Sequence, residues 1–260
     1  MSITDVLINR FILYLLVFIR MTSLFVLSPV FGRQNTPSYL KIGLALFTTF
    51  ILAPLLGDVV IEYSNLVDFT LIIFKELFVG IIIGYVSNMV FSALFIAGQL
   101  IDTQIGFSMI NVLDPQSNIQ VPLLGNFLYI LSILLFLMMD GHHILFLALT
   151  KSYNIVPINS LFFTKELINN LIGIFSETFY MAVKIAFPIT AAVLISEVAL
   201  GILARMVPQM NVFMVGMPLR IALGLLVLMI IMPGLSNTLD YLFDNLFAYI
   251  SIILQSMVEG

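Results

Sequence analysis

The sequence predicts an all-α, polytopic membrane protein, and three observations carry that prediction. Of its 260 residues, 61% are hydrophobic and only 9% are charged, whereas a soluble domain is about half apolar and roughly 25% charged. Apolar runs of about 20 residues, the length of a spanning helix, recur along the chain. The breaks between them are short and marked by Gly, Pro and Asp, as turns are. A soluble fold of this length could not hide so much apolar surface, so lipid or other greasy subunits must cover it.

The same composition excludes several classes. With a net charge of −4 and no basic stretch, nucleic acid is not a partner. There are no cysteines, which excludes disulfides, thiol chemistry and thiolate metal sites. The N-terminal MSITDVLINRFILYLL carries Asp5 ahead of any base and has no small-residue cleavage site, so no removable signal peptide is expected. Trp is absent, which leaves the 9 Tyr and 23 Phe as aromatic anchors at the membrane interface.

In chain order, candidate spans fall at 11–31, 39–56, 69–98, 121–139, 169–200 and 212–235. A further apolar stretch, 238–257, carries Asp240 and Asp244, with Glu259 just beyond, and reads as amphipathic. Breaks are expected at 32–37, 57–68, 100–120, 140–143 and 205–211. None is a flexible linker and no repeat of solenoid length stands out, so 1–260 reads as a single membrane domain. Arg33 and Lys41 mark the first loop as cytoplasmic, and the next loop, with Asp58, Glu62 and Asp68 and no base, suits the outer side. Alternation then places 100–120 inside, yet that segment holds Asp102 and Asp114 and no Lys or Arg. The charge rule fails there. Runs 69–98 and 169–200 are also over-long, and they contain Lys75, Glu76, Glu177, Lys184 and Glu197. Each such charge costs roughly 2.5–3.5 kcal/mol at the centre of a lipid-exposed helix. These residues should therefore face protein, water or a partner chain, or pair with one another. A proton or ion path is the sharper reading; structural pairing is preferred, because no acidic cluster at one depth is evident.

Four stretches invite closer reading. In FVGIIIGYVSNMVFSALFIAG, Gly80 and Gly84, then Ala93 and Ala97, stand four apart and make a flat helix face for close helix packing, within the chain or against another subunit. In MMDGHHILF, Asp140-Gly141 turns the chain. Adjacent imidazoles on a helix point about 100° apart, and no other His or Cys exists, so a polar corner is expected and a metal centre is not. ALGILARMVPQMNVFMVGMPLRIALGLL reads as a helical hairpin interrupted by Arg205 and Pro208, with Pro218 in the next run. Met206, Met210, Met214, Met217 and Met229 line the area, as adaptable contacts or as ordinary core. Finally, GFSMINVLDPQSNIQVP, residues 106–122, is a greasy loop amid apolar runs. Gly106 and Ser108 free the backbone, and Asp114-Pro115 favours a turn with an extended Asp114. Irregular backbone at membrane depth is tolerated where it is buried in protein or lines a cavity. The loop is then either a re-entrant packing element or a plug that excludes water from a lumen by dewetting. No catalytic triad, paired-carboxylate cleft, Walker loop or nucleotide fingerprint can be assembled, so neither an enzyme nor a cofactor is expected.

Together, SPVFGRQNTPSYLKIGLAL, AGQLIDTQIGFSMINVLDPQSNIQVPLLGNF, DGHHILFLAL and ALGILARMVPQMNVFMVGMPLRIALGL resemble the FliR family of flagellar export-gate membrane proteins, over nearly the whole chain. NVFMVGMPLR looks more like the flagellar branch than the virulence one. The resemblance implies bent helical hairpins in a helical, hetero-oligomeric assembly. One FliR-like copy joins several copies of FliP and FliQ in the inner membrane, within the flagellar basal body, and FlhA and FlhB complete the apparatus. It also implies a conduit for unfolded flagellar subunits, driven by energy the FliR-like chain does not supply. In that family the loop matching 106–122 acts as a plug. The role carries to Phe107, Ser108, Met109, Ile110, Asn111, Val112 and Leu113, with Gly106 at the start and Asp114-Pro115 as the hinge. Met109 and Ile110 are larger than the small residues expected there, so this plug is either tighter or seated differently. The readings that compete are a virulence type III secretion subunit, a stand-alone secondary transporter, which should show paired broken helices in two related halves, and a membrane enzyme.

Overall fold

A computed structural model describes residues 3–32, 36–57, 59–61, 63–107, 122–209 and 211–258. Among them are seven helices and no strand: α1 (Ile3–Leu27), α2 (Ser38–Leu55), α3 (Leu66–Ile105), α4 (Leu123–Met138), α5 (Gly141–Ile155), α6 (Lys165–Met206) and α7 (Val212–Ser256). Helices are what long apolar runs form away from water, because they satisfy every backbone group within the segment. Their ends follow local chemistry. Pro37, with φ −58, precedes α2. Thr164 Oγ1 accepts the Leu167 amide at the start of α6, and Asn211 Oδ1 accepts the Met214 amide at the start of α7. Met206 ends α6 two residues before Pro208, which bars the α conformation just ahead of it.

Among the described residues four helices (α1, α2, α6 and α7) are long and apolar enough to cross a membrane, and α4 with α5, bent by 74°, forms either a fifth, broken span or a re-entrant pair. That corrects the six expected spans. The run 69–98 lies in α3, which is apolar on every side, and much of it is buried by protein: Val79, Ile83, Val86, Val90, Leu94 and Ile101 are all inaccessible or nearly so. The expected break at 100–120 begins later, since 100–105 continue α3. The stretches 212–235 and 238–257 are one helix, in which Pro218 and Pro233 are absorbed. At 1.5 Å per residue α6 is about 63 Å long, roughly twice a hydrocarbon core of ~30 Å.

The chain divides into two compact units, Met1–Met89 with Met139–Ile174 and Asn245–Gly260, and Val90–Met138 with Phe175–Asp244. In the first, Gly80 and Gly84 let α3 lie directly on α1: a Cβ at Gly80 would collide with Ser23 Oγ and the Arg20 carbonyl, and one at Gly84 would sit 2.9 Å from Leu27 Cβ. Beside them Arg20, wholly inaccessible, donates from Nε to Glu76 Oε2 at 2.7 Å. Its Nη1 and Nη2 donate to the Val156 carbonyl at 3.1 Å, and its guanidinium lies 4.0 Å over the Tyr153 ring. Glu76 Oε1 takes the Asn159 amide at 3.2 Å, and Lys75 Nζ donates to Asn159 O and Oδ1 at 2.9 Å. One buried ion pair thus ties α1, α3, α5 and the turn after it. In the second unit Phe91, Phe136 and Phe243 meet pairwise at 5.0 to 5.2 Å between centroids. There Glu197 pairs with Arg220 at 2.6 Å, and Glu177 accepts from Tyr241 Oη at 3.4 Å. Four of the five charges in the over-long runs therefore find partners, but not one another; the fifth, Lys184, lies exposed on α6.

Candidate functional site at the base of the 106–122 segment

The segment 106–122 joins the end of α3 to the start of α4; two contacts hold its ends together, and a third seats the α3 end on α7. The first is steric. Gly98 faces Gly125 so closely that a Cβ on Gly98 would meet Gly125 Cα and N at 2.5 Å. Only paired glycines let the two backbones approach this far. The second is polar. Asp102 is 3% exposed, and its two carboxylate oxygens accept the Leu124 amide at 3.0 Å each, while Oδ2 also accepts the Gly125 amide at 3.2 Å. Those are donors that a helix leaves unpaired at its N-terminus, so α3 supplies the cap for α4. Burial pushes the Asp102 carboxyl above its usual range, and the two backbone amides pull it partly back. The third is apolar. Ile105, fully buried, packs so tightly on Gly224 of α7 that a Cβ there would overlap its side chain.

Each end is then shaped locally. Gly106 has φ +96, a conformation that favours glycine, and its amide closes α3 on the Asp102 carbonyl at 3.2 Å. Phe107 follows, half-buried. At the other end the Asn126 amide and side chain both donate to the Pro122 carbonyl, at 3.1 and 3.0 Å. Of the expected plug, Gly106 and Phe107 lie here; Ser108, Met109, Ile110, Asn111, Val112, Leu113, Asp114 and Pro115 fall outside the described residues, as does Met210.

The remaining expected residues lie elsewhere. Gly80 and Gly84 face α1 of the same chain, and Ala93 and Ala97 are fully buried. Arg205, Pro208 and Met214 are exposed. Asp140, His142 and His143 gather at the start of α5, with ligand atoms within 4.8 Å of one another and imidazole centroids 4.3 Å apart. The expected divergence of the two imidazoles is corrected: in a first turn no preceding turn restricts the rotamers, so the rings can lean together. Sequence reasoning missed the clamp at Gly98, Asp102 and Gly125. Asp102 showed itself only as an acid without a base, in a segment where the charge rule failed.

The family described as "Bacterial export proteins, family 1" matches residues 11–246. The chain is similar to the flagellar biosynthetic protein FliR of Bacillus subtilis (strain 168), with 38% identity over 86% of this chain and 88% of the relative. It is also similar to the proteins of that name from Escherichia coli (strain K12), 28% identical over 94% of both chains, and Aquifex aeolicus (strain VF5), 29% identical over 93% of both.

Proposed function

Because the chain belongs to the bacterial export proteins, family 1, we propose that it serves as the FliR-type membrane subunit of the flagellar type III protein export gate. In this reading it sits in the bacterial cytoplasmic membrane, in the flagellar basal body. One copy joins several copies of FliP and FliQ, with FlhA and FlhB adjoining, and unfolded flagellar subunits pass through the conduit they enclose. It is a structural and gating component and not an enzyme. The flagellar names of its relatives favour this branch over the virulence one.

The observation that carries the gating part is the clamp. A greasy segment with both ends fixed by Asp102 and by the Gly98–Gly125 contact can be displaced between its ends without loosening the helices that hold it. Residues 106–115 act as the plug, Phe107 to Leu113 supplying the water-excluding surface and Asp114-Pro115 the hinge. Removal of Met109–Leu113 tests this directly. The expected result is an assembled complex whose membrane leaks ions in a conductance or dye assay. Normal assembly with an unchanged leak would remove the plug assignment.

A further inference from the structure

The cluster at the start of α5 belongs to no part of the gate described above, and its geometry fits a ligand. Asp140 adopts a left-handed backbone, φ 55 and ψ 25, a region that few residues other than Gly, Asn and Asp enter. Its Oδ1 lies 3.9 Å from His143 Nδ1, and the His142 ring lies on that of His143 with planes 36° apart. One ligand atom of each of the three residues falls within 4.8 Å of the others. Tetrahedral ligands about 2.1 Å from one ion stand about 3.4 Å apart, so side-chain rotations at the exposed Asp140 and His143 and the half-buried His142 that close the group by about an ångström bring all three onto it. Asp140 and His143 are 74% and 73% exposed, which leaves the route from solvent open. His142 Nδ1 is buried with no hydrogen-bond partner among the described residues, so a bound ion would restore the solvation it has lost.

We propose that Asp140, His142 and His143 bind one divalent ion of the zinc type. The donor set decides the class. Two imidazoles and one carboxylate suit Zn2+ and its late first-row neighbours, with water on the remaining position. Mg2+ and Ca2+ prefer all-oxygen shells. The dipole at the start of α5 weakly opposes a cation, and the Asp140 carboxylate offsets it. Bound there, the ion fastens the first turn of α5 to the residue that bends the chain into it. The site stands apart from the export reading and survives or fails separately.

The test uses the full chain in its native membrane complex, purified on a histidine-free tag, stripped with chelator and loaded with Zn2+ alone. Metal content should show one Zn2+ per copy of this chain more than in a His142→Asn/His143→Asn variant, with Asp140→Asn weakening uptake about tenfold or more and Mg2+ failing to compete. Equal zinc in wild type and the double variant overturns the site. A second measurement needs no variant, because the chain has only 2 histidines. Zn2+ should protect His142 and His143 from an imidazole-modifying reagent, read by mass spectrometry; unchanged modification with zinc present equally overturns the proposal.

Discussion

At the scale of single residues, Asp102 shows what a buried charge is used for here. Its carboxyl is shifted upward, so burial outweighs the stabilisation that its two amide bonds give the charged form. Between the ordinary carboxylate value of 3.8 and the raised folded value, the folded protein holds a proton that the unfolded chain does not. Acidification through that window therefore adds stability from this group, and at neutral pH its charge is a cost. What stabilises is the acceptor geometry. Asp102→Asn, which keeps an acceptor and loses the charge, should leave the unfolding midpoint of the detergent-solubilised complex nearly unchanged at neutral pH. Asp102→Ala, which leaves the amides of Leu124 and Gly125 unmet, should lose about 1–2 kcal/mol. If Asn proves as damaging as Ala, the charge matters after all. Arg20 obeys the opposite logic. Glu76 is 1% exposed and depends on it, so Arg20→Ala should cost about 3–5 kcal/mol by stranding a buried carboxylate. Adding Glu76→Leu should recover much of that loss in the same unfolding measurement. Glu76 was conspicuous in the sequence as a charge in an apolar run. Its partner was not, because the pair spans 56 positions and no local spacing joins them.

At the scale of elements, the contacts that set helix spacing are backbone contacts, and glycine makes them. Gly98→Leu should force α3 and α4 apart, because the atoms in the way are the backbone of Leu124 and Gly125, which cannot rotate aside. The expected readout is loss of the assembled complex and of motility. Gly173→Ala, with nothing within 4 Å of the added carbon, should instead be neutral or stabilise α6 by roughly 0.5–1 kcal/mol. A Gly98→Leu complex that assembles normally would show that the helices have room to part. The existence and type of these elements were legible from length and apolarity alone. Their limits were less so. Asp102 read as part of a break, yet it lies inside α3 because α4 supplies its partners; 212–235 and the amphipathic 238–257 with Asp240 read as separate stretches, yet they join because no Gly or Pro from 235 to 256 stops α7. The clamp was invisible for the same reason, since Gly98, Asp102 and Gly125 come together only across the 106–122 segment.

At the scale of the whole molecule, the apolar surface is far from evenly covered. Half of the apolar window of α1 is buried inside this chain, against 33% for α6 and 17% for α7. Tyr180, Phe187, Ile195, Met229 and Ile230 each expose more than 60% of their surface. If lipid alone covered these helices, charge would be absent from them, yet Lys184 lies exposed on α6 and Glu197 and Arg220 are only partly covered. A charged group facing hydrocarbon costs several kcal/mol unless it reaches the interface or a protein partner. Two helices longer than a bilayer is thick, greasy yet dotted with charge, are better matched by neighbouring subunits than by lipid. If the chain serves as proposed above, gentle extraction from the native host should recover it as one copy with several copies of two other small membrane proteins, at a single native mass. If Lys184 faces such a partner, Lys184→Glu should lower the yield of that complex by reversing the charge, while Lys184→Met should be milder. A chain that runs alone, folded and stable in detergent, with Lys184→Glu indistinguishable from wild type, would mean that α6 and α7 face lipid and that the charges reach water by themselves.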